Sequence, residues 1–196
     1  MTLDIQTLRH AHEGQPMYII GKGPSLAALK KEDIGDGIVI TLNQAIIKVE
    51  MLGIDNQIYS MQKDGCGDRE PHDVCLNEMV RPQKAALIVH EHESKHCLED
   101  YEPRYIFSNE NDFGIPWYAF SALSAMKIAD LMGCKKTYFV SFDSAVNGDC
   151  RAYAPDSTGG GKIIPANIAY YIQSRIMTEY LNTHRKDYTW IMPSEY

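Results

Sequence analysis

The sequence has little positive charge and no apolar run long enough to cross a bilayer. Its 19 Lys and Arg residues face 26 Asp and Glu residues, which gives a net charge of −7 over 196 residues. Because proteins bind phosphate backbones largely through Lys and Arg, we expect no broad nucleic-acid surface, although a local basic groove stays open. The amino-terminal residues also lack the apolar core of a signal peptide. These absences predict a cytoplasmic protein without a membrane span.

The five cysteines are odd in number and widely scattered. Since no C-x-x-C pair is present, we expect free thiols in a reducing compartment. Histidines and cysteines do cluster along the chain, but their spacing matches no standard zinc pattern, so we expect a solvated polar rim and no metal. The residues of this cluster are His90, His92, His96 and Cys97, with Cys66, His72 and Cys75 as further candidates.

Short apolar runs alternate with helical patterns along the chain. The runs predict buried strands, and the segments between them predict helices. This alternation is typical of a single doubly wound, Rossmann-like and mostly parallel α/β sheet flanked by helices, with its ligand crevice where the strand order reverses. The length fits one domain, 1–196. Predicted strands are 17–20, 38–42, 57–61, 86–89, 105–107, 137–140 and 188–192; predicted helices are 3–8, 25–31, 44–52, 117–132 and one opened by Pro165.

A glycine-rich turn follows the first predicted strand. Gly21 and Gly23 allow a tight turn and a close ligand approach, Pro24 follows, and Ser25 is placed to cap a helix whose amino end favours an anion. An ordinary strand-to-helix turn explains the same residues equally well. The full dinucleotide fingerprint is absent, because the third glycine is missing and Asn43 stands where an acidic residue would hold a ribose.

Three polar residues at element ends are further site candidates. Asn43 ends the second strand, where its amide would contact a base or sugar, or simply cap a helix. Ser121 lies in the first turn of an alanine-rich helix, where packing is the alternative role. Asp143 follows the 137–140 strand, from which a carboxylate reaches the crevice, or makes an Asx turn into Ser144.

Two irregular segments interrupt the pattern. The stretch 63–82 is polar and contains several glycines and prolines, which is typical of a functional or mobile loop. Near the last helix, Lys162 follows three glycines but precedes Ile163, so the segment is not a Walker A loop. We expect a flexible lid here, with Lys162 meeting a phosphate as the lid closes.

Four motifs in order resemble the bacterial sialyltransferases that modify lipooligosaccharide. The wider group includes motility-associated glycosyltransferases and pterin pyrophosphokinase-like proteins. The resemblance covers both ends of the predicted sheet and the middle third only loosely. The matching residues are Gly21 to Leu26 (G-x-G-P-S-L), Leu42-Asn43-Gln44, then Ser121, Gly133 and Asp143, and finally Asn147-Gly148 with Tyr153-Ala154.

The resemblance implies a nucleotide-sugar site that needs no metal. In similar proteins the first loop, the asparagine and the helix-start serine hold a CMP-sugar, and tyrosines contact the departing phosphate. Tyr153 matches one tyrosine position, but Ala145 occupies the other. The family's catalytic histidine is missing from 162–167. Either the base comes from elsewhere, with Asp143 favoured over His90, His92 or His96, or the acceptor or the reaction differs.

The leading hypothesis from the sequence is a glycosyltransferase that moves a sugar from a nucleotide donor to a hydroxyl acceptor. The donor phosphates would lie over Gly21 to Ser25, with Tyr153 and Lys162 meeting the departing charge. The alternative enzyme is a pyrophosphokinase-like protein that uses ATP and Mg²⁺ through Asp64, Asp68 and Asp143. A third hypothesis is a nucleotide-binding module without catalysis. Whether the chain forms a homo-oligomer stays open.

Overall fold

The computed structural model describes residues 1–63, 80–94, 103–117, 119–184 and 187–193. The strands are β1 (Leu3–Asp4), β2 (Met17–Ile20), β3 (Ile38–Leu42), β4 (Gln57–Gln62), β5 (Ala86–His90), β6 (Tyr105–Phe107), β7 (Thr137–Val140), β8 (Ala152–Pro155), β9 (Gly161–Ile164) and β10 (Tyr188–Ile191). The helices are α1 (Ala45–Met51), α2 (Glu91–Ser94), α3 (Asn109–Phe113), α4 (Ser121–Leu131), α5 (Asp143–Val146) and α6 (Ile168–His184), with 3-10 turns at Ile5–Leu8, Pro24–Ala28 and Lys31–Asp33.

Eight of these strands form one parallel sheet. Their order is β1-β6-β5-β4-β3-β2-β7-β10. The chain runs from β2 outward to β6, then crosses back to place β7 on the other side of β2. In register, Ile20 lies beside Thr41 on one neighbour and Val140 on the other. The predicted α/β class is therefore confirmed, and the strand order reverses between β2 and β7.

Both faces of the central strands are buried, which explains their continuous apolar runs. On one face Ile19, Ile40 and Phe139 pack with α4, whose alanines at 122, 125 and 129 allow close contact. On the other face Ile20 and Val140 pack with α1 and the Pro24–Ala28 turn. The sheet therefore has an apolar core on each face, and the two cores hold its central strands in position.

Several predicted helix bounds are wrong. The expected helix 25–31 is a pair of 3-10 turns, since Leu29 N–H donates to Leu26 at i−3 and Ser25 N–H is bound by a distant carboxylate. Helix α4 begins at Ser121 instead of 117, because the Asn109 amide holds the carbonyls of Pro116 and Trp117 that a helix would use. The predicted lid contains the antiparallel pair β8–β9, so Lys162 lies on a strand.

Helix α6 has an unusual distribution of side chains. The fourfold spacing of Ile168, Ile172 and Ile176 correctly indicated a helix, but these side chains are 72, 52 and 48% exposed. The helix instead buries Met177 and Leu181. Within the described ranges, no helix combines the length and apolarity needed to cross a membrane.

The buried position of Ile19 gives a first stability prediction. Ile19→Ala removes a fully buried side chain from the central strand and should lower the free energy of unfolding by about 2–5 kcal/mol. The matched control is Ile163→Ala, since Ile163 is 41% exposed and the change should stay within about 0.5 kcal/mol. Urea unfolding followed by circular dichroism measures both. Equal losses in the two variants would contradict the described core.

Candidate functional site

Buried polar side chains gather at the carboxyl edge of the sheet. Burying polar groups is costly unless they are hydrogen-bonded. A row of buried polar side chains at one edge therefore indicates a functional site, since packing alone would favour apolar residues there. Open α/β sheets bind ligands at this edge, next to the point where the strand order reverses. The buried residues at this edge are Ser25, Asn43, Gln62, Lys63, His90, Ser108, Asn109, Ser141 and Asp143.

Asp143 joins the ends of β2 and β7 through two hydrogen bonds. Its Oδ2 accepts from the Ser25 hydroxyl at 2.7 Å, and its Oδ1 accepts from the Ser25 backbone N–H at 3.1 Å. Neither residue has any exposed surface. Burial raises the pKa of the Asp143 carboxyl, and the hydrogen bonds from Ser25 only partly oppose this effect. The Asp143 carboxylate therefore packs directly against the turn formed by Gly23 and Ser25.

Gly21 and Gly23 are required by this contact between strands. A Cβ at Gly23 would lie 1.9 Å from Asp143 Oδ2, and one at Gly21 would lie 2.8 Å from the Ser141 carbonyl oxygen. Neither distance is tolerable for a side chain. The residues that follow β7 thus pack directly against Gly21 and Gly23. This contact alone explains the two glycines, and no ligand is needed to account for them.

The turn offers little to an anion in this conformation. The N–H groups of Gly21, Gly23 and Ser25 donate to Val140, Ser141 and Asp143, and Pro24 has no N–H. A five-residue 3-10 turn also lacks the aligned dipole of a long helix. The expectation that donor phosphates lie over Gly21 to Ser25 stays a prediction, although three of the N–H groups that it invokes are already used in this conformation.

The residues that follow β3 and β7, the two strands beside β2, have a strained backbone, and one of them has a buried hydroxyl without a hydrogen bond. Asn43 and Ser141 follow β3 and β7 with φ of 51° and 59°, in the left-handed region that disfavours side chains. Asn43 Oδ1 accepts from Lys63 N–H at 3.2 Å, so this side chain orders the end of β4. The Ser141 hydroxyl is buried without a hydrogen-bond partner. Such costs are commonly retained at functional sites.

Strand β8 lies across the turn that follows β2. Tyr153 N–H donates to the Lys22 carbonyl at 2.7 Å, and the Tyr153 ring packs into the core beneath. Burial raises the pKa of its hydroxyl. On the paired strand β9, Lys162 is exposed and lies opposite Ala154. Tyr153 is therefore fixed beside the turn that follows β2, and Lys162 is exposed to solvent.

The predicted site residues fall into two groups. Gly23, Asn43, Asp143 and Tyr153 meet around the end of β2. Ser121 begins α4, one turn before Ser124, whose hydroxyl donates to Asn109 after β6, and no contact joins it to this group in the described interactions.

The histidine rim is only partly solvated. His90 is buried, stacks on His92 with ring centroids 5.2 Å apart and meets Phe107 edge-on, so the expectation of solvated histidines is wrong at this position. His92 is exposed. No cluster of three metal-binding side chains occurs in the described part of the chain. The candidates His72, His96, Cys66, Cys75, Cys97, Asp64 and Asp68 lie outside the described residues.

Some site residues were missed by the sequence analysis. Asn109 and Ser124 bond each other at 2.8 Å, and Ser141 carries the strained backbone. Ser108 and Asn109 directly follow an apolar run, and a search for polar residues after each run would have found them. The left-handed backbone of Ser141 leaves no such trace in the sequence.

A concavity lies at the opposite edge of the sheet. Its volume is about 640 Å³, and it opens where β4, β5 and β6 begin. Its lining includes Gln57, Arg81, Lys84 and Arg104. Because parallel sheets bind ligands beyond the carboxyl ends of their strands, we assign the function to the other edge despite this pocket.

Comparisons with known proteins identify no family for this chain. No protein-family model matches it, and no curated protein is similar enough to count as a match. The fold and the geometry of the carboxyl edge therefore carry the functional argument.

The raised pKa of Asp143 predicts a pH-dependent stability. Since the folded state holds this proton more tightly than the unfolded state, the wild type loses stability as pH rises above the unfolded value of 3.8. Asp143→Asn removes this titration and keeps the contact with Ser25. Its stability relative to wild type should therefore increase as pH rises from about 4, until the folded carboxyl is ionised.

Asp156→Asn is the matched control, measured by urea unfolding over the same pH series. Hydrogen bonds from Thr158 lower the pKa of Asp156 below 3.8. Its effect should have the opposite sign and be confined to pH below about 4. A difference between Asp143→Asn and wild type that stays constant with pH would contradict the burial argument.

Proposed function

We propose that the protein is a glycosyltransferase that moves a sugar from a nucleotide-sugar, of the CMP-sugar type, to a hydroxyl acceptor. One observation supports the proposal: one residue from each of four motifs that are far apart in sequence lies around the end of β2, beside the reversal point of the sheet. Gly23, Asn43, Asp143 and Tyr153 are connected there through backbone pairing and the Ser25 hydrogen bonds. These are the motifs that resemble sialyltransferases. The proposal requires no metal.

The donor would lie beside the glycine turn, over the ends of β3 and β4. Asn43 is at the centre of this region, and its side chain already orders the Lys63 backbone. Lys63 is 6% exposed at the end of β4, where its charge favours a phosphate. Lys22 contributes a second positive charge and donates to Gln44 at 3.2 Å. This placement avoids the N–H groups that the turn uses internally.

The base for the acceptor hydroxyl is better supplied by His92 than by Asp143. A general base must come within hydrogen-bond reach of the proton it removes. Asp143 has no exposed surface and both oxygens accept from Ser25, which suits a positioning role. His92 is exposed after β5, three strand spacings or about 14 Å from the end of β2. An extended nucleotide-sugar covers that distance.

A ligand panel tests the nucleotide class. CMP should raise the melting temperature more than UMP, UDP, ATP or ATP with Mg²⁺, by roughly 5–10 °C at about 100 times Kd. Asn43→Asp keeps the oxygen that Lys63 uses and tolerates the left-handed backbone, so it should weaken the shift without unfolding the protein. A response to ATP with Mg²⁺ alone would favour the phosphoryl transferase. No response to any nucleotide would refute the proposal.

Release of CMP from a CMP-sugar tests the base. His92→Ala should lower the rate about 10²–10⁴-fold, since that is the usual contribution of a general base. Asp143→Asn, which keeps the fold contact, should retain most activity. If Asp143→Asn loses more activity than His92→Ala, Asp143 is the general base instead. CMP binding, followed by thermal shift, should survive in His92→Ala and shows that the variant is folded.

A further inference from the structure

The concavity at the amino edge of the sheet is lined by three cationic residues. Arg81 and Lys84 precede β5 and Arg104 precedes β6, so two separate segments supply the charges. All three residues are exposed. The net charge of the whole chain is −7, so this local charge is opposite in sign to that of the molecule. Positive charges that gather in a concavity repel one another and raise the local concentration of anions.

Backbone hydrogen bonds hold the two segments that carry these charges. The Glu50 carboxylate of α1 accepts from the Lys84 backbone N–H at 2.8 Å and also from the N–H groups on either side of it. Arg104 N–H donates to the Leu87 carbonyl, and Leu3 N–H donates to the Arg104 carbonyl, both at 2.9 Å. The cationic side chains therefore extend from a backbone whose position is fixed by the sheet and by α1.

Two of the three cations have no anionic partner among the described residues. The side chains of Lys84 and Arg104 make no ion pair there, because Glu50 contacts this segment through backbone N–H groups. The Arg104 guanidinium carbon lies 5.9 Å from the centre of the Tyr105 ring. This cation–π contact orients the guanidinium group and uses none of its N–H donors. These donors are therefore available to an anion in the concavity.

The concavity also has an aromatic lining. Tyr59 is buried, Tyr105 is half-buried, and the centroids of their rings lie 6.2 Å apart. The Tyr59 hydroxyl is hydrogen-bonded to His12 Nε2 at 2.8 Å. Burial raises the pKa of Tyr59 to about 12, so its hydroxyl stays neutral and adds no negative charge. The same concavity thus offers cationic groups and ring surfaces to one ligand.

We propose that this concavity binds a small organic phosphate. The forked guanidinium of Arg104 matches two phosphate oxygens, Lys84 adds a point charge, and Arg81 adds to the positive potential. The volume of about 640 Å³ is typical of small-molecule sites and exceeds that of an inorganic phosphate ion. The ligand therefore carries an organic part, which packs on the two tyrosine rings.

This phosphate site is separate from the proposed nucleotide-sugar site. Gln57 lines the concavity at the start of β4, and Lys63 follows the end of the same strand. Six residues of extended chain span about 20 Å, and the sheet lies between the two positions. The inference therefore goes beyond the proposed function and does not depend on the identity of the sugar donor.

Calorimetry with ribose 5-phosphate tests this site, and ribose is the control without a phosphate. Ribose 5-phosphate should bind the wild type, and ribose should not. Arg104→Gln and Lys84→Gln should each weaken binding about 10–100-fold, because each removes a hydrogen bond to a charged group. Arg104→Lys keeps the charge without the fork, so it should lose less affinity than Arg104→Gln.

Two further variants serve as controls. Arg175→Gln removes an equal charge from an exposed position on α6 and should leave the affinity for ribose 5-phosphate nearly unchanged. Asn43→Asp, which alters the proposed nucleotide site, should also leave it unchanged. Since Lys84, Arg104 and Arg175 are exposed, melting temperatures without ligand should stay close to that of the wild type, which shows that these variants are folded.

The outcomes separate this inference from the proposed function. Absence of ribose 5-phosphate binding at millimolar concentration would overturn the inference, and so would equal losses in Arg104→Gln and Arg175→Gln. Loss of binding in Asn43→Asp alone would place the phosphate at the carboxyl edge and overturn it as well. Tighter binding of a single-stranded RNA, lost in Arg104→Gln, would overturn the small-ligand class. Ribose 5-phosphate binding that needs Arg104, without any thermal shift by CMP, would support this site and refute the nucleotide-sugar donor.

Discussion

The contact between Asp143 and Ser25 is the constraint on which the rest of the site depends. It joins residues 118 positions apart and fastens the end of β7 to the turn after β2. The glycines at 21 and 23 exist in this geometry to admit the approaching carbonyl and carboxylate. With those positions fixed, the loop after β7 can lie near β8. The Tyr153 backbone N–H can then donate to the Lys22 carbonyl in the turn after β2. The crevice wall is thus assembled from interactions within the chain.

The sheet was predictable because its strands are buried on both faces. Such strands appear in the sequence as unbroken apolar runs, and seven of the eight in the sheet were anticipated to within one or two residues. The errors came from side chains distant in sequence. Asn109 delays the start of α4, and Asp143 takes the N–H that a helix at Ser25 would have left free. Neither contact can be inferred from the helix propensity of the local sequence.

The place of the candidate residues in the fold was predictable, and their contacts were less so. Polar residues after apolar runs correctly placed Asn43 and Asp143 at one edge, since parallel strands end together. Their functions depend on burial, which periodicity does not give. Asp143 looked like an accessible base and is an enclosed anchor. Asn43 looked like a ligand contact and also supports the backbone of the next strand.

The central position of β2 also affects the order in which the fold can be completed. During synthesis β3 follows this strand soon after, but its other partner, β7, lies about 120 residues later. At typical synthesis rates of about 5–20 residues per second, one edge of β2 waits about 6 to 24 s for its neighbour. During that interval an apolar strand with free N–H and C=O groups is available to other chains. Production of the protein should therefore benefit from slower expression, lower temperature or a chaperone that shields this edge until synthesis passes β7.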